Sequence, residues 1–423
     1  MSGGKSVALH TLGCKLNYSE TSSIERLLER DGFEKKDFGD IADVYIINTC
    51  SVTENADREC RQIVRRIQRK APQAVVVITG CYAQLKPGEI AEIEGVDLVL
   101  GVAEKFNITH HLKQLTKGPY AKICSCDIEE VVGYNSSFST GTRTRTFLKV
   151  QDGCNYNCSF CTIPMARGKS RSNSIKNVLS EIKKITQEGV KEIVFTGINL
   201  GDFGRDGHGK KTCESFFELL KVVDTNEGAE RYRISSIEPN LLSDEIIELV
   251  AGSKKIMPHF HIPLQSGSNK ILGLMRRRYK KELYKQKIQL IKKLIPHCCI
   301  GIDVITGFPG ESDEDFEETV EFLKNIEASY FHVFTYSERD NTHALNLMPA
   351  VPIDIRHRRT KILRSLSYRK LQDFTSLHRG QRRKVLFEGQ NKNGMMEGYT
   401  DNYIKITIPY KTEWSNQIID WYV

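Results

Sequence analysis

The sequence is poor in long apolar runs, and this shortage limits the classes of protein to which it can belong. It contains no stretch of about 18 apolar residues, so we expect no membrane span. The first residues, MSGGKSVALHTLG, lack the apolar core of a signal peptide. We therefore expect a cytoplasmic protein that has no membrane partner.

A fourth cysteine is missing where one is expected. Residues 150–163 read VQDGCNYNCSFCTI, which places Cys154, Cys158 and Cys161 in a C-x3-C-x2-C pattern. A structural zinc site is closed by four ligands, and an iron–sulfur cluster usually takes four cysteines. Three core cysteines are the alternative, but the Gly, Asn and Tyr residues between them do not suit a core strand. The pattern predicts a metal centre with one open coordination position, where a substrate or cofactor can bind.

The composition is that of an ordinary globular protein with an uneven distribution of charge. The 423 residues are 39% hydrophobic and 27% charged, and the net charge is +8. Eleven Lys and Arg residues lie between Arg356 and Lys384, against one acidic residue, Asp373. Such a block is typical of nucleic-acid contact, and a solvated helix face is the alternative.

Residues 1–115 alternate short apolar strands with helices, which predicts an open parallel α/β sheet. The strands are KSVALHTL, DVYIINT, AVVVITG and VDLVLG. Cys14, Cys50 and Cys81 each follow the end of one of these strands within a residue or two. Ligands bind at that edge of open parallel sheets. We therefore expect these three distant cysteines to converge on one rim.

Residues 116–142 are polar and are predicted to be a linker. Residues 143–352 then alternate helices with six strand candidates, TFLKVQ, EIVFTG, YRISSIE, HFHIP, IGIDVITG and YFHVFTY. This alternation predicts a partial (β/α)6 barrel of the TIM type, whose active site lies at the carboxyl face of the strands. The three cysteines of the opening motif follow the first of these strands, so we expect them on that face.

The last part of the chain is predicted to be a basic helical connector, residues 353–380, followed by a small β-domain, residues 381–423. We expect the helix to bury Ile355, Ile362, Leu366 and Phe374, which recur at roughly helical spacing. The segments KVLFEGQ, MEGYTDNYIKITIP and QIIDWYV are typical of short strands joined by turns.

The C-x3-C-x2-C stretch resembles the cluster motif of radical S-adenosylmethionine (SAM) enzymes. In that family three cysteines hold a [4Fe–4S] cluster, SAM chelates the open iron, and electron transfer produces a 5′-deoxyadenosyl radical. The segment GFPGE, after a later strand, strengthens the resemblance. Its first residue, Gly307, is expected to let the backbone approach the adenosine closely.

Residues 6–350 resemble one branch of that superfamily, the radical-SAM methylthiotransferases. The matching stretches are TLGCKLN, INTCSVTENAD, ITGCYAQ, GCNYNCSFCTIPMARGKSRS, VFTGINLGD, SSIEPN, HIPLQSGS, MRRRY and DVITGFPGE. The resemblance implies that Cys14, Cys50 and Cys81 hold a second [4Fe–4S] cluster, which supplies or carries the inserted sulfur. It also implies that the terminal β-domain is a small RNA-binding barrel of the TRAM type, here unusually short.

The same resemblance implies roles for residues around the SAM site. The backbone of Phe160 is expected to meet the adenine, and Gly197 and Asn199 to receive the methionine moiety. Glu238 and Gln265, just past strand ends, are expected to contact SAM or substrate. Each of the last four could instead be an ordinary loop or cap residue.

The segments GCKLN, RGKSRS and TGINL resemble the branch that acts on N6-threonylcarbamoyladenosine. The threonylcarbamoyl group carries a carboxylate, and arginine binds carboxylates through a bidentate fork. Arg167, Arg171 and Arg278 are the candidates for this contact. A surface or phosphate-binding role is the alternative for each of them.

The resemblance implies an enzyme that converts N6-threonylcarbamoyladenosine 37 of tRNA to its 2-methylthio form, using two SAM molecules. The expected partners are this tRNA, an electron donor such as flavodoxin or ferredoxin, and a sulfur donor, and we expect a monomer. One alternative is a methylthiotransferase for isopentenyladenosine 37 or for an aspartate of a ribosomal protein. A more remote alternative is a metal-containing RNA-binding module without enzymatic activity.

Overall fold

The computed structural model describes residues 5–50, 54–139, 144–390 and 393–423. Residues 140–142 of the predicted linker and residue 143 at the start of the predicted barrel lie outside these ranges. None of the helices in the described part of the chain is both long enough and apolar enough to cross a membrane.

Six parallel strands form the N-terminal sheet in the order β2-β1-β3-β4-β5-β6, which confirms the open parallel architecture. The strands are β1 (Ser6–Thr11), β2 (Glu34–Lys35), β3 (Val44–Thr49), β4 (Val75–Gly80), β5 (Leu98–Leu100) and β6 (Lys122–Cys124). The helices are α1 (Lys15–Arg30), α2 (Glu54–Lys70), α3 (Cys81–Leu85), α4 (Pro87–Ala91) and α5 (Ile108–Gln114). Apolar side chains cover both faces of the sheet, as a buried parallel sheet requires.

The N-terminal sheet extends into the segment predicted to be a linker. Strand β6 lies beyond residue 115 and pairs in parallel with β5. Strand β2 is a second addition at the opposite edge. Both are short edge strands whose residues are mostly exposed, so neither carries the apolar pattern by which a strand is recognised in a sequence.

The central region is a partial barrel of six parallel strands, as predicted. Its strands are β8 (Arg145–Lys149), β11 (Glu192–Thr196), β12 (Arg231–Ile234), β13 (His259–His261), β14 (Cys299–Thr306) and β15 (Tyr330–Thr335), after a short antiparallel strand β7 (Ser137–Phe138). A two-residue ribbon joins β9 (Gln151–Asp152) to β10 (Arg171–Ser172). The helices are α6 (Ile163–Arg167), α7 (Ile175–Gln187), α8 (Phe216–Thr225), α9 (Asp244–Gly252), α10 (Asn269–Leu274), α11 (Lys281–Leu294), α12 (Asp313–Asn325) and α13 (Ile353–Ser376).

The barrel is open between its first and last strands, and the N-terminal region packs beside that opening. Helix α1 contacts β7 and β8 as well as its own sheet. The hydroxyls of Ser19 and Ser137 lie 3.0 Å apart, and Arg26 Nη2 donates to the carbonyl of Phe138 at 2.8 Å. Most of the polar residues in the first half of α1 are buried for this reason. The two regions therefore share a polar interface beside the carboxyl end of β8.

Helix α13, which covers most of the predicted connector, packs along β15 of the barrel. Leu366 and Phe374 are buried as predicted and Ile355 is half-buried. The prediction for Ile362 is wrong, since its side chain is 44% exposed and Leu363 is buried instead. Threonine and serine hydroxyls that bond to β14 and β15 complete the buried stripe, and such residues carry no apolar signal.

Part of the positive charge of the basic stretch is internal. Arg356 and Arg359 are buried and pair with Glu338 and Glu311 at 2.6 Å each. The exposed cationic side chains of α13 and the following turn are those of Arg358, Lys361, Arg364, Arg369 and Arg379. The basic stretch is therefore a structural support on one side and a positive surface on the other.

The chain ends in a four-stranded antiparallel sheet, which confirms the small β-domain. Its order is β18-β17-β16-β19, with β16 (Arg382–Gln390), β17 (Met395–Thr400), β18 (Lys405–Pro409) and β19 (Ile418–Tyr422). Arg231 and Arg233, on β12, donate to backbone carbonyls of this sheet and of the turn after β17. His259, at the start of β13, stacks on Tyr403 with 4.0 Å between ring centroids. The sheet therefore packs at the amino-terminal end of the barrel, opposite the carboxyl face.

Candidate active site

The three cysteines of the N-terminal region meet at the carboxyl edge of the sheet, because β1, β3 and β4 are adjacent and parallel. Thr49 pairs with Gly80 across β3 and β4, so Cys50 and Cys81 leave neighbouring strand ends side by side. Cys81 also lies within electrostatic reach of Cys14. The expected convergence on one rim is what the strand order produces.

Two glycines allow this close approach. Gly13 has φ +102°, and a Cβ on it would lie 2.5 Å from Cβ and 2.9 Å from Sγ of Cys50. Gly80 has φ +99°, and a Cβ on it would lie 2.3 Å from the carbonyl oxygen of Thr49. A side chain at either position would push the cysteine loops apart, so glycine is required by both backbone conformation and space.

A buried charge network lies beside this cysteine site and joins it to the barrel. Glu20 Oε1 contacts Lys105 Nζ at 2.6 Å, Lys149 Nζ at 3.1 Å and Arg167 Nη1 at 3.1 Å. Asp152 contacts Lys149 at 3.2 Å and Arg167 at 3.0 Å. These five side chains are all buried. Three cations therefore face two carboxylates inside the interface, which leaves a positive excess next to the thiols.

The network keeps its carboxylates ionised despite their burial. Burial opposes the ionisation of Glu20, but Arg167, Lys105 and Lys149 outweigh it and hold the pKa of that carboxyl well below its usual range. Burial also lowers the pKa of Lys105, to about 8, although Glu20 opposes the shift. Burial raises the pKa of the Cys81 thiol above its usual range, and the nearby Arg167 offsets part of that rise. Positive charge at this place favours thiolate, the form that binds a metal.

The second cysteine site lies on the loop that the β9–β10 ribbon closes, just past the carboxyl end of β8. Burial raises the pKa of Cys154 and of Cys161 to about 12, and each lies within electrostatic reach of Cys158. The backbone N–H of Tyr156 donates to Cys154 Sγ at 3.3 Å. Metal coordination deprotonates a thiol outright, so these partly buried thiols suit metal ligation better than they suit free thiolates.

A cavity of about 230 Å³ opens beside Cys161. Its lining comprises Phe160, Cys161, Thr162, Ile163, Gln265, Asp303, Ile305, Phe334, Thr335, Tyr336, Ser337 and Arg339. Gln265 adopts a left-handed conformation, with φ +71°, where the chain leaves β13. Two of the residues expected at the cofactor, Phe160 and Gln265, thus face one mixed apolar and polar cavity next to a cysteine.

Asn199 is a buried polar residue whose amide is unsatisfied. Its side chain is 2% exposed, and neither amide atom has a hydrogen-bond partner among the described residues. Gln151 Oε1 accepts from the backbone N–H groups of Ile198 and Asn199 at 2.8 Å and so fixes the loop. A Cβ on Gly197 would lie 2.9 Å from that same oxygen. A buried amide without a partner is costly unless a ligand completes it, which suits the polar methionine end of SAM.

Glu238 is linked to the cysteine loop by an arginine that sequence reasoning did not assign. Arg277 Nη2 is paired with a carboxylate oxygen of Glu238, and Arg277 Nη1 donates to Cys158 Sγ at 3.1 Å. Arg277 belongs to the MRRRY segment, residues 275–279, whose resemblance to the family implies no role for it. The guanidinium puts a positive charge and a hydrogen bond on one sulfur of the site, and such hydrogen bonds tune cluster potentials.

Gly307 is required by the protein's own packing. It has φ +73°, and a Cβ would lie 2.3 Å from Cγ of Arg356. Its backbone N–H donates to Glu311 Oε2 at 2.7 Å. This close approach to helix α13 requires glycine by itself, and the expected contact of the Gly307 backbone with adenosine stays a prediction.

The structure gives two of the three predicted carboxylate-binding arginines other partners. Arg167 is buried against Glu20 and Asp152, and Arg171 Nη1 donates to the carbonyls of Arg167 and Lys169. Both guanidinium groups are buried and contact other groups of the protein, so they suit a substrate carboxylate less well than an exposed arginine does. Arg278 is exposed and lies over the ring of Tyr156, with 4.0 Å from Cζ to the ring centroid.

Short helix α6 connects the two cysteine sites. It begins two residues after Cys161 and ends at Arg167, which lies within electrostatic reach of Cys14 and Cys81. Its five residues span roughly 7.5 Å along the helix axis. Helix α6 also packs against α3, whose first residue is Cys81. The two cysteine sites therefore face the same interface.

Comparison with known proteins identifies the class of protein to which this fold belongs. The Radical SAM superfamily model matches residues 148–323, and the model of Uncharacterized protein family UPF0004 matches residues 6–101. The radical S-adenosylmethionine methyltransferase TsrM from Kitasatospora setae, solved with cobalamin and a [4Fe-4S] cluster bound, has a similar fold. Its TM-score is 0.56 at 15% identity, over 78% of this chain and 75% of that chain. Fold and site together define a radical SAM enzyme.

Similar proteins of known name identify the family within the radical SAM enzymes. A Bacillus subtilis protein is 40% identical over 95% of this chain and 89% of its own length, and is named threonylcarbamoyladenosine tRNA methylthiotransferase MtaB. A Clostridium botulinum protein named tRNA-2-methylthio-N(6)-dimethylallyladenosine synthase is 33% identical over 91% of this chain and 86% of its own length. The chain belongs to the radical-SAM tRNA methylthiotransferase family. The cofactors of this class are SAM and [4Fe–4S] clusters, and the two three-cysteine sites have the donor chemistry such clusters require.

Proposed function

We propose that this protein converts N6-threonylcarbamoyladenosine 37 of tRNA to its 2-methylthio derivative. The observation that carries the proposal is the presence of two three-cysteine sites on one interface, separated by helix α6. Each site would hold a [4Fe–4S] cluster through three thiolates, and each would keep one iron open. An adenine that enters this interface would lie within reach of both sites.

The bound cofactors would supply a 5′-deoxyadenosyl radical at one site and sulfur at the other. In the net reaction the hydrogen on C2 of adenine leaves with 5′-deoxyadenosine, a C–S bond replaces the C–H bond, and a second SAM supplies the methyl group. Adenine C2–H has no acidic proton, so a radical route suits this position better than general base catalysis.

The protein's own residues would bind and orient. Asn199 would donate to the carboxylate of SAM and so complete its own unsatisfied amide. Arg277 would hold Glu238 beside the methionine end and keep its hydrogen bond to Cys158. The cavity at Phe160 and Gln265 would exclude water from the adenosine end. These contacts would position SAM before any bond is broken, so the reacting atoms would already be aligned.

The substrate assignment rests on the threonylcarbamoyl carboxylate and on the name of the Bacillus subtilis relative. Of the predicted arginines, Arg278 keeps an exposed guanidinium next to the barrel cysteine loop, where it donates to the carbonyl of Asn155 at 3.1 Å. We assign the carboxylate contact to Arg278, and a positioning role in the interface to Arg167 and Arg171.

RNA binding outside the active site would use the positive surface of α13 and the terminal sheet. This sheet packs at the amino-terminal end of the barrel, so it would contact tRNA away from adenosine 37. Phosphate contacts of this kind are salt-dependent and independent of sequence. We further propose that the enzyme is a cytoplasmic monomer that draws electrons from a flavodoxin or ferredoxin and sulfur from a separate donor.

The test uses anaerobically purified enzyme with reconstituted clusters, SAM, a reductant and three substrates. These are tRNA with threonylcarbamoyladenosine 37, tRNA with isopentenyladenosine 37, and the ribosomal-protein substrate. Mass spectrometry of the products should find the methylthio group on the first substrate alone. Modification of the second tRNA instead would establish the alternative that the Clostridium botulinum relative represents.

Reductive cleavage of SAM distinguishes the enzyme from a metal-containing RNA-binding module without enzymatic activity. An enzyme of this class produces 5′-deoxyadenosine when its barrel cluster is reduced. Zinc in place of iron, together with no SAM cleavage, would end the enzymatic proposal altogether.

A further inference from the structure

Two histidines and an aspartate from three adjacent strands face the lumen of the barrel. They are His261 at the end of β13, Asp303 in β14 and His332 in β15, where Asp303 and His332 are direct partners across the sheet. His332 is exposed, whereas its neighbours Phe331 and Val333 are buried on the outer side of the strand. Because side chains alternate along a strand, His332 points into open space inside the barrel.

The donor atoms of these three residues converge. The nearest ligand atoms of all three lie within 4.8 Å of one another, and His261 Nε2 lies 3.0 Å from Asp303 Oδ1. His261 Nε2 is buried. Although it lies close to Asp303, it makes no well-aligned hydrogen bond to any of the described residues. The lone pairs of His261 Nε2 and Asp303 Oδ1 are therefore free to coordinate one metal ion between them. Zinc bonds of about 2.0 to 2.2 Å would span the 3.0 Å between His261 Nε2 and Asp303 Oδ1.

The other ring nitrogen of His261 is held in the manner typical of metal-bound histidine. Nδ1 lies 2.8 Å from the hydroxyl oxygen of Ser236, which lies just past β12. A proton on Nδ1 that is donated to this oxygen leaves Nε2 with the lone pair that faces Asp303. Metal-ligating histidines commonly donate their second nitrogen to a polar neighbour, which fixes tautomer and ring orientation.

We propose that His261, Asp303 and His332 bind one divalent cation of the first transition series, such as Zn²⁺ or Fe²⁺. Two imidazoles and one carboxylate suit these metals and leave further coordination positions open. Asp303 also lines the cavity beside Cys161, so the open positions face the same space as the barrel cysteine site. This metal site is distinct from both cysteine sites and uses no sulfur ligand.

A metal-free network is the competing use of these groups. The ammonium of Lys15, at the start of α1, lies within electrostatic range of Asp303 and His332. It could supply the positive charge that the carboxylate requires. The two arrangements differ in whether a metal with nitrogen and oxygen ligands can be bound, and that difference is measurable.

The probe is Zn²⁺ added to the anaerobic holoenzyme with both clusters loaded, followed by gel filtration and elemental analysis. We expect one zinc per chain in addition to the cluster iron. His332→Gln and Asp303→Asn should each weaken zinc retention at least tenfold, since removal of a metal's ligand or its supporting contact commonly costs about 10- to 100-fold in affinity. His110→Gln, an exposed histidine on α5, is the matched control and should keep the zinc.

X-ray absorption at the zinc edge of the unmutated holoenzyme identifies the zinc ligands without the use of any variant. The expected ligand shell contains nitrogen and oxygen at about 2.0 to 2.2 Å, with imidazole scattering and without sulfur at about 2.3 Å. Sulfur ligands would place the zinc on cysteines and overturn the proposal. Failure of the holoenzyme to retain zinc, or equal retention by the two variants, would overturn it as well.

Discussion

The two cysteine sites hold the same number of thiols, but they are assembled in opposite ways. The barrel site takes its three cysteines from one loop of eight residues, Cys154 to Cys161. The N-terminal site takes its cysteines from three strand ends, and the first and last, Cys14 and Cys81, are 67 residues apart. The barrel site is formed by one local loop, whereas the N-terminal site forms only when the sheet has folded. Loss of the fold should therefore abolish the N-terminal site first.

Their electrostatic surroundings also differ. The barrel site has one arginine, Arg277, which donates to a sulfur and pairs with Glu238. The N-terminal site lies beside a buried network with more cations than carboxylates, and that network is shared with the barrel. The barrel site is tuned by local contacts, from Arg277 to Cys158 Sγ and from the backbone N–H of Tyr156 to Cys154 Sγ. The N-terminal site depends on the interface between the two regions.

The largest expected effect comes from removal of the barrel thiols. In the triple variant Cys154→Ala, Cys158→Ala, Cys161→Ala, SAM cleavage should fall to the level without protein, because the metal that would bind SAM has lost every ligand. About half of the iron should remain, held by the N-terminal site. Chromatographic detection of 5′-deoxyadenosine and iron analysis check this. Residual SAM cleavage would place the SAM site elsewhere.

Glu20→Gln should be the next largest change. It leaves Lys105, Lys149 and Arg167 with one carboxylate between them, and removal of one partner of a buried ion pair costs about 3 to 5 kcal/mol. Denaturant unfolding should show that loss, and the iron of the N-terminal site should be lost before that of the barrel site.

The matched control for this change is Glu25→Gln on the same helix. Glu25 pairs with Lys35 at the surface, where such pairs contribute about 0 to 1 kcal/mol. If both variants were equally stable, the charge network would not be what holds the two regions together.

Asn199→Ala is expected to act on the barrel site alone. The lost hydrogen bond to a charged group contributes about 1.5 to 3 kcal/mol, so the KM for SAM should rise roughly 10- to 100-fold. Iron content should be unchanged at both sites. Asn325→Ala, on the exposed surface of α12, should leave the KM as it was. An unchanged KM in Asn199→Ala would remove this residue from the SAM site.

Arg277→Lys should give the smallest effect. Lysine keeps the charge but cannot reach Glu238 and Cys158 with the same planar fork. A weaker hydrogen bond to sulfur should make the reduction potential of the barrel cluster more negative by tens of millivolts. Redox titration followed by electron paramagnetic resonance measures this, with Arg278→Lys as the neighbouring control. An equal shift at the N-terminal cluster would contradict separate tuning.

Both cysteine sites can be predicted from the sequence, because strand ends and cysteine spacing can be recognised in it. The β-branched runs before Cys14, Cys50 and Cys81 locate one edge of a parallel sheet, and that edge is where the structure brings these residues together. The C-x3-C-x2-C spacing identifies the barrel site by itself. The prediction of the N-terminal site depends on local pattern together with a general rule of sheet topology, and that of the barrel site on local spacing alone.

The long-range ion pairs could not be predicted, since no local pattern indicates which charges meet. Arg167 was expected at the substrate and instead lies against Glu20, 147 residues away. Glu20 itself is one acidic residue on a helix, where a solvated position is the ordinary expectation. The unsatisfied amide of Asn199 likewise becomes visible only once burial is known.

The measurement that tests the account most directly is SAM cleavage by the triple variant Cys14→Ala, Cys50→Ala, Cys81→Ala. If the two sites act separately, about four of the eight irons expected in the intact enzyme should remain, and 5′-deoxyadenosine should still form. Methylthiolated tRNA should be absent, because the sulfur-bearing site is gone. Loss of SAM cleavage together with full retention of the fold, or continued methylthiolation, would contradict the account.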